Sequence, residues 1–507
     1  MHVERELKFG IHSAAAAQRL LRVLPAAAKP ERRQVHSVYY DTPDQRLRNA
    51  GAALRLRRIG GRWLQALKAP QGAQSGLAAR AEWEIPAPRA RLDCALFPRE
   101  EVRAATGLDM LRLARDLRPA FATRFERRAV LLALGHGVRA EACIDRGRIE
   151  AGGAHEPILE LELELKEGEL GPMIGLAETL VAPFGLTLER ASKAERGYRL
   201  ANSTTPEPPA KWQRPSIDEE AAASDAFAAL CGAALAQIAA NAPGVARGGD
   251  PEYLHQLRVG LRRLLSAIRA FRPLLRRKRA DSVSRPLRSM MRVLGAARDW
   301  DVFRETLAHA EASKDLAARA RYKATSARRA ARTLVQSAAF QSAQLRALRW
   351  LHGVPWRSDY ARAEPLTRFA HRSLDRLHAK LLKRAKHIDW RNAERRHEVR
   401  IAVKRLRYAC DFFSGSFPHQ AVLPFLARLS ALQDTLGELN DVAVARSLLG
   451  ELDLKQAAPE LRAEAGQFRH WLARRERELI ASLASDWAAL ERRRAYWRPK
   501  ATRRAAH

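Results

Sequence analysis

Residues 1–10 read MHVERELKFG. In an extended strand, successive side chains point to opposite faces. Glu4, Glu6 and Lys8 then share one face, while Val3, Leu7 and Phe9 share the other with Arg5. Residues 158–166, ILELELELK, repeat the arrangement, with Glu160, Glu162 and Glu164 set against a row of leucines. A wet outer face would account for one such strand. The pattern recurs, however, with Arg55 and Arg57 in ALRLRR, Lys68 ending LQALK, Glu82 and Glu84 in AEWEI, and Glu141 and Asp145 in EACID. Charged faces backed by apolar ones need both sides satisfied. A closed barrel with a charged, hydrated lumen and helices packed outside does this. Such a lumen suits a metal-bound polyphosphate, because carboxylates hold Mg²⁺ or Mn²⁺ through oxygen while Arg and Lys neutralise phosphate oxygens. Burying so many charges without an ion and an anion would be costly.

The length of 507 residues implies two or three domains, and an apolar fraction of 47% is ample for real cores. The cysteines, Cys94, Cys143, Cys231 and Cys410, lack metal-ligand spacing and read as reduced thiols of an intracellular protein. No stretch reads as a membrane span and the N-terminus has no signal pattern, so cytoplasm is the expected compartment and no membrane partner is expected. The net charge of +34 calls for a polyanionic partner. Residues 1–200 hold 33 Lys/Arg and 25 Asp/Glu, whereas residues 201–507 hold 57 and 31, so the second half carries most of the excess.

Strand-like runs (VERELKF, HSVYYDT, AALRLRRI, RWLQALKA, RAEWEIP, ERRAVLLAL, RAEACIDRGRIE, ILELELELK) fill residues 1–200, with helices expected at about 12–24, 98–106 and 173–184. The Pro/Ser/Thr-rich residues 201–216 read as a linker. Residues 217–507 are Ala/Leu/Arg-rich and read as all-helical. HQLRVGLRRL from His255 matches HEVRIAVKRL from His397 at an offset of 142, and LGAARDWDV from Leu294 matches LGELNDVAV from Leu436 at the same offset. Two matches at one spacing argue for a duplicated unit, at about 250–310 and 392–452. In the first copy Leu254, Leu257, Leu261, Leu264 and Ile268 mark a buried seam. His255, Arg258, Arg262 and Arg269 form a neighbouring stripe, repeated by His397, Arg400 and Lys404 with Arg405 and Arg407. Asp299, Asp301 and Asp441 are expected to pair internally with these arginines. The tail at 492–507, RRRAYWRPKATRRAAH, reads as a flexible basic arm. There are no zinc-finger ligands and no RNA-recognition signature, which makes nucleic acid the weaker partner.

The N-terminal E-x-E-x-K, the paired arginines, the later Lys, the E-x-E strand and SKAERGY near residue 198 together resemble the CYTH domain of the triphosphate tunnel metalloenzymes, over roughly residues 1–200. The resemblance implies an eight-stranded antiparallel β tunnel with outer helices that hydrolyses or cyclises triphosphates with a divalent metal. It implies Glu4 and Glu6 as metal ligands, with Glu162, Glu164 and Glu160 completing the acidic cluster and Asp145 near the metal. Lys8, Arg55, Arg57, Lys68 and Lys193 would grip phosphates. The arginine of ATRFERRA is Arg124, Arg127 or Arg128, with Arg127 favoured by its spacing after Phe121. Glu82 or Glu84 would take a further acidic position that orients Lys or Arg. Chemistry would be in-line attack of a water, oriented by the metal or a carboxylate, on a terminal phosphorus. Glu4, Glu6, Asp145 and Lys8 are the candidate catalytic groups; Lys8 either positions the attacked phosphate or helps deprotonate water.

The paired H-x-x-R-x-x-x-R/K helices and R/N-D segments are similar to the CHAD domain, over about 217–507. That implies two related four-helix bundles binding inorganic polyphosphate on a basic surface formed by His255, Arg258, Arg262, Arg263, Arg269, His397, Arg400, Lys404, Arg405 and Arg407. The second copy departs from the first, with Asn440 for Arg298 and Ala443 for Asp301. The whole reads as an inorganic triphosphatase that uses Mg²⁺ or Mn²⁺ and yields pyrophosphate and phosphate. Its basic helical domain would bind polyphosphate and associate with polyphosphate granules. A non-catalytic polyphosphate-binding scaffold and an adenylyl cyclase of the same tunnel fold are the competing expectations.

Overall fold

The computed structural model describes residues 2–498 apart from 28, 75, 76, 204–207, 219 and 455; side chains at 2–4 and 70–80 also lie outside the description. The chain forms two compact units, Met1–Ala210 with Gln336–Gly353, and Lys211–Val335 with Val354–His507.

In the first unit, β1 (His2–Gly10), β2 (Glu31–Asp41), β3 (Ala53–Ile59), β4 (Arg62–Gln74), β5 (Leu77–Pro86), β6 (Arg118–Ala133), β7 (Arg139–Ala151) and β8 (Ala154–Glu167) form one antiparallel sheet. Its order is β5-β4-β3-β2-β6-β7-β8-β1. Residues 2–5 of β1 pair with β5 and residues 6–10 pair with β8, so the eight strands close into a barrel. A two-residue strand, β9 (Thr187–Leu188), adds to the end of β1. Two hairpins turn on glycine pairs, Gly60–Gly61 and Gly152–Gly153. All four have positive φ, the geometry a tight two-residue hairpin loop requires.

The alternation sorts as the charge pattern demands. Leu54, Leu67, Ala81 and Trp83 point outward and bury against Phe97, Val102, Met110 and Leu113. Their charged neighbours therefore point inward. The lumen is not charged throughout. Val35, Tyr39, Phe121, Phe125, Ile149 and Ile158 also face inward and pack with Ala194 and Tyr198 of the helix Lys193–Ala201, filling one end with apolar side chains.

The helix Leu170–Phe184 buries Met173, Ile174, Ala177, Leu180 and Val181. A helix with so broad an apolar surface needs cover on more than one side. The barrel gives one cover, and the helix Ala338–His352 gives the other. Arg346 and Arg349 both reach Glu178, at 2.9 and 3.1 Å. Residues 338–352, expected in the helical region, belong instead with the barrel.

The second unit is helical. Pro251–Ala270 is capped by Asp250, whose carboxylate accepts from the Glu252 amide at 2.8 Å, and Pro251 at the first position needs no amide partner. Leu254, Leu257, Leu261, Leu264 and Ile268 are all buried, as the seam requires. The two copies meet where this helix packs on Ala393–Phe413 and where Arg277–His309 packs on His419–Gly450. At their centre the matched phenylalanines Phe227 and Phe369, and Phe271 and Phe413, join in one aromatic cluster with ring centroids 5.1–5.8 Å apart. The helix Ala223–Arg247 is long and apolar enough by composition to cross a membrane, contrary to the sequence reading. Its Ala226, Phe227, Leu230, Ala234 and Ile238 are core residues of this unit. The tail also departs from expectation: Trp497 is buried and donates to Asp375 Oδ1 at 2.9 Å, so residues up to 498 dock, and 499–507 lie outside the description.

Candidate active site and basic cluster

Strand order places the two chemistries on opposite walls. Around the barrel, β3 stands across from β8 and β4 across from β7. Arg55 and Arg57 on β3 and Lys68 on β4 thus face Asp145 on β7 and Glu160, Glu162 and Glu164 on β8. On β1, Lys8 stands beside Glu162 and Glu6 beside Glu164 by register. The Glu4 backbone pairs with Arg80, while its side chain lies outside the described residues.

The acidic wall is tightly tied. Asp145, Glu160 and Glu162 bring one oxygen each within 4.8 Å of one another. Lys193 Nζ reaches all three, at 2.6 Å to Asp145, 2.9 Å to Glu162 and in close contact with Glu160. Arg127 donates from Nε and Nη2 to Asp145 at 2.8 and 2.7 Å, and from Nη2 to Glu162 at 2.5 Å. Arg127 is therefore the inward arginine of ATRFERRA. Arg124 pairs with Glu150, and Arg128 with Glu126. Lys8 lies 3.1 Å from Glu162 and 3.8 Å from Glu6. Burial alone would lower the Lys8 ammonium, but Glu162 and Glu6 outweigh it and hold the pKa above the usual lysine range. Glu162 is the converse: burial raises its carboxyl, and Lys193, Lys8 and Arg127 pull it well below the carboxylate range.

The SKAERGY segment explains how Lys193 arrives there. Ser192 caps the helix Lys193–Ala201 in a reciprocal box with Glu195. Arg196 then reaches Glu160 at 3.0 Å and Glu156 at 2.7 Å, and the Tyr198 hydroxyl donates to Asp41 at 2.8 Å. Gly197 sits on the Phe121 ring, where a Cβ would come within 2.1 Å of a ring carbon. Arg196 stands outside the expected site residues although SKAERGY contains it. Lys166, likewise outside that set, alternates with Glu160, Glu162 and Glu164 and lies 2.7 Å from Glu164 and 3.5 Å from Glu141.

The basic wall is looser. Arg55 and Lys68 share Glu82, at 3.0 and 3.4 Å, so Glu82 is the carboxylate that orients cations. Glu84 is half-exposed, 3.9 Å from Arg57. Among the described residues that is the only ion pair of Arg57, although the guanidinium is buried and donates to Ser37 at 3.3 Å. Burial, with Arg55 alongside, pulls Arg57 down to about 10. The Arg55 Nε is buried without a partner. A buried cation short of countercharge is a ready anion seat.

The donor chemistry facing this wall is hard carboxylate oxygen, which fits a divalent cation of the Mg²⁺ or Mn²⁺ type. Asp145 and Glu160 are tied to Lys193, Arg127 and Arg196, and Glu162 is tied to Lys8, Lys193 and Arg127. Glu6, Glu162 and Glu164 are adjacent on β1 and β8, and Asp145, Glu160 and Glu162 converge, so these carboxylates are the candidates to hold such an ion.

In the helical unit, Arg258, Arg262, Arg400 and Lys404 gather from both copies around Asp299 and Asp441. Nε of Arg258, Arg262 and Arg400 is buried with no partner. Burial, Arg400 and Arg262 together pull Lys404 down to about 7. The expected internal pairing fails here. Among the described residues neither Asp299 nor Asp441 closes an ion pair, and burial pushes both carboxyls up. Asp301 pairs instead with Arg328, at 2.6 Å. His255 adjoins Arg258 and Arg262, whereas His397 is exposed. Arg263 and Arg407 lie apart from the cluster. Arg263 pairs with Asp411 and covers Trp212, and Arg407 donates to Gln433 and covers Tyr408. One residue along a helix is a turn of about 100°, enough to carry Arg263 off the stripe of Arg262. Arg269 and Arg405 adjoin each other away from the central group.

Comparison with known proteins agrees with these two parts. Residues 2–198 match the family model described as the CYTH domain, and residues 229–450 match that of the CHAD domain. An inorganic triphosphatase of Haemophilus influenzae is 32% identical over 171 residues, which cover 33% of this chain and 46% of that protein. The chain thus spans about half the length of that relative. The solved CHAD domain of the plant Ricinus communis is 33% identical, with a TM-score of 0.51, covering 57% of this chain and 98% of that structure.

Proposed function

We propose that this chain, a CYTH domain followed by a CHAD domain, is a metal-dependent inorganic triphosphatase whose helical unit binds inorganic polyphosphate. The observation that carries the first half is the buried, undercompensated Arg57 facing a wall of carboxylates across the lumen. Arg55 and Arg57, backed by Lys68, grip phosphate oxygens of a linear triphosphate. Glu6, Glu162 and Glu164 hold the divalent ion, which when bound neutralises charge on the phosphate oxygens and the leaving group. Lys8 stays protonated beside Glu162 and Glu6, so it positions the attacked phosphate and does not act as the base. Arg127 and Lys193 keep Glu162 ionised and fix its rotamer. Water enters from the charged end, because the aromatic plug fills the other.

The test is phosphate release from triphosphate, pyrophosphate, ATP and long polyphosphate, with and without Mg²⁺ or Mn²⁺. Metal-dependent release from triphosphate is expected, lost in Arg57→Ala and in Glu4→Ala or Glu6→Gln. Cyclic AMP formed from ATP would instead support the cyclase reading. Polyphosphate binding with no turnover of any substrate would support the scaffold.

For the helical unit, the carrying observation is the shared cluster of Arg258, Arg262, Arg400 and Lys404 with buried, unpartnered guanidinium nitrogens. Polyphosphate binding that survives Arg262→Ala with Arg400→Ala in the full chain would end this reading. Deleting the helical region is a poor substitute, since it removes Ala338–His352 from the barrel unit.

A further inference from the structure

The 142-residue offset matches Arg263 with Arg405, Arg269 with Asp411 and Arg288 with Ser430. The fold turns these matched positions into two unlike corners. At one corner, Arg263 Nη1 donates to Asp411 Oδ2 at 2.5 Å, Arg214 donates to the same carboxylate, and the Arg263 guanidinium lies 4.2 Å over the Trp212 ring. That corner is packed, and Asp411 offsets one of its two guanidinium charges. At the other, Arg405 stands beside Arg269 and Arg384, and Arg269 beside Arg288. Arg272, also nearby, is occupied by Asp281 at 2.6 and 2.7 Å. Among the described residues Arg269, Arg288, Arg384 and Arg405 form no ion pair, and the Arg405 Nε is buried without a partner.

Asp281, the carboxylate that also acts on Arg288, is engaged by Arg272, so these neighbouring guanidiniums carry an excess of positive charge and repel one another, which makes them a seat for a polyanion. Arg269 lies on the stripe of Arg258 and Arg262, and Arg258 to Arg269 spans about 16 Å of helix. From the geometry, and resting on the polyphosphate reading above, we infer that Arg269, Arg288, Arg384 and Arg405 form a second phosphate station. It lies on one side only of the pseudo-two-fold, and it lets the helical unit favour long linear polyphosphate over short chains. A chain seated at the central cluster extends toward this corner. On the matched side, Asp411 replaces an arginine and closes the path.

The experiment is equilibrium binding of triphosphate and of polyphosphate tens of units long to the full chain without divalent metal. Arg57→Ala serves as the common background so that the barrel does not contribute. Adding Arg269→Ala and Arg405→Ala should weaken long-chain binding about tenfold while changing triphosphate binding less than about twofold. Arg405→Lys, which keeps the charge, should restore most of the preference and so exclude a folding effect. Asp411→Asn, which releases Arg263 and Arg214, should strengthen long-chain binding. Equal losses for both lengths, or no loss for either, overturn the second station. If the background protein binds no polyphosphate at all, the underlying polyphosphate reading fails, and that outcome is distinct from the others.

Discussion

Arg127 clasps Asp145 through two parallel hydrogen bonds, Nε to Oδ1 at 2.8 Å and Nη2 to Oδ2 at 2.7 Å, and the same Nη2 continues to Glu162. One guanidinium thus joins β6, β7 and β8. Asp145 has no exposed side-chain surface, and without Arg127 it keeps, among the described residues, only Lys193, at 2.6 Å, so a buried carboxylate loses two of its charged hydrogen bonds. Arg127→Ala should cost about 1–3 kcal/mol of stability in the barrel unit, the loss of buried hydrogen bonds to carboxylates that Lys193 still partly compensates. Arg127→Lys should recover only part of it, since an ammonium cannot reproduce the planar fork. Denaturant unfolding followed by amide exchange on β7 and β8 measures both. A change within about 0.5 kcal/mol for Arg127→Ala would contradict the assignment.

Glu162 sets an acid limit on the same wall. Its folded pKa lies well below the ordinary 4.5, so its contribution is present above about 4.5 and fades as pH falls toward the folded value. Lys8 is opposite in sign: its folded pKa lies above 10.5, so its contribution holds below that and fades as pH rises past it. The stability difference between wild type and Glu162→Gln should be flat from pH 6 to 8 and shrink below about pH 4.5. A difference that grows on acidification would reverse the sign and remove the ion-pair account.

Lys404 gives the helical unit a pH dependence near neutrality. In the free protein it titrates at about 7, because burial and the neighbouring Arg400, Arg262 and Arg258 outweigh Asp441. A bound polyanion stabilises the ammonium, so binding takes up a proton and affinity falls as pH rises through 7. His255, lowered by burial beside Arg262 and Arg258, adds a smaller effect at lower pH. Calorimetry in buffers of different ionisation enthalpy should show proton uptake at pH 7.5 that disappears in Lys404→Arg. Proton-neutral binding in the wild type would contradict it.

The charged half of the barrel was legible because alternation was strict. Glu6/Lys8, Arg55/Arg57 and Glu160/Glu162/Glu164 each keep one sign or role on one face, opposite leucines. The other half was not, because the alternation inverts. On β6, Phe121 and Phe125 face inward while Arg124 faces out, so RPAFATRF carries no charged-in pattern and the strand begins at Arg118, well before the expected run from Glu126. The pairing of Ala338–His352 with Leu170–Phe184 was illegible for another reason. Nothing local distinguishes a helix that covers a neighbour in its own region from one that covers a helix about 170 residues earlier in the chain. Only the unusually broad apolar surface of Leu170–Phe184 hinted at a missing partner.

That pairing makes residues 1–210 alone an incomplete unit. Without Ala338–His352, Glu178 loses Arg346 and Arg349, and the Leu188 amide loses the Gln341 side-chain oxygen it donates to at 3.1 Å. Leu188 belongs to β9, and the next amide, Glu189, donates to the Lys8 carbonyl at 2.8 Å, so the loss reaches the strand bearing Lys8. A protein ending at residue 210 should melt lower than one in which 336–353 is rejoined by a flexible linker. It should also show faster amide exchange at β9. Equal melting and exchange would mean that the helix is dispensable.

Gly197 is the most sensitive single position in the barrel, because its substitution separates geometry from charge. A methyl group there would meet the Phe121 ring at 2.1–2.7 Å, and that ring is held by Tyr39 stacked at a centroid distance of 4.5 Å and by Tyr198 at 5.0 Å. The ring cannot yield, so the helix Lys193–Ala201 must move outward. Overpacking of this kind costs typically about 1–3 kcal/mol. The same movement draws Lys193 from Asp145 and Glu162 and Arg196 from Glu160, leaving the acidic wall undercompensated although no charged residue has changed. Gly197→Ala should therefore fold, lose about 1–3 kcal/mol, and lose at least about tenfold in phosphate release from triphosphate. The pH at which activity declines on acidification should also rise, since Glu162 would lose Lys193, one of the three cations that lower its pKa. Unchanged turnover together with an unchanged acid limb would show that the helix does not set the position of Lys193.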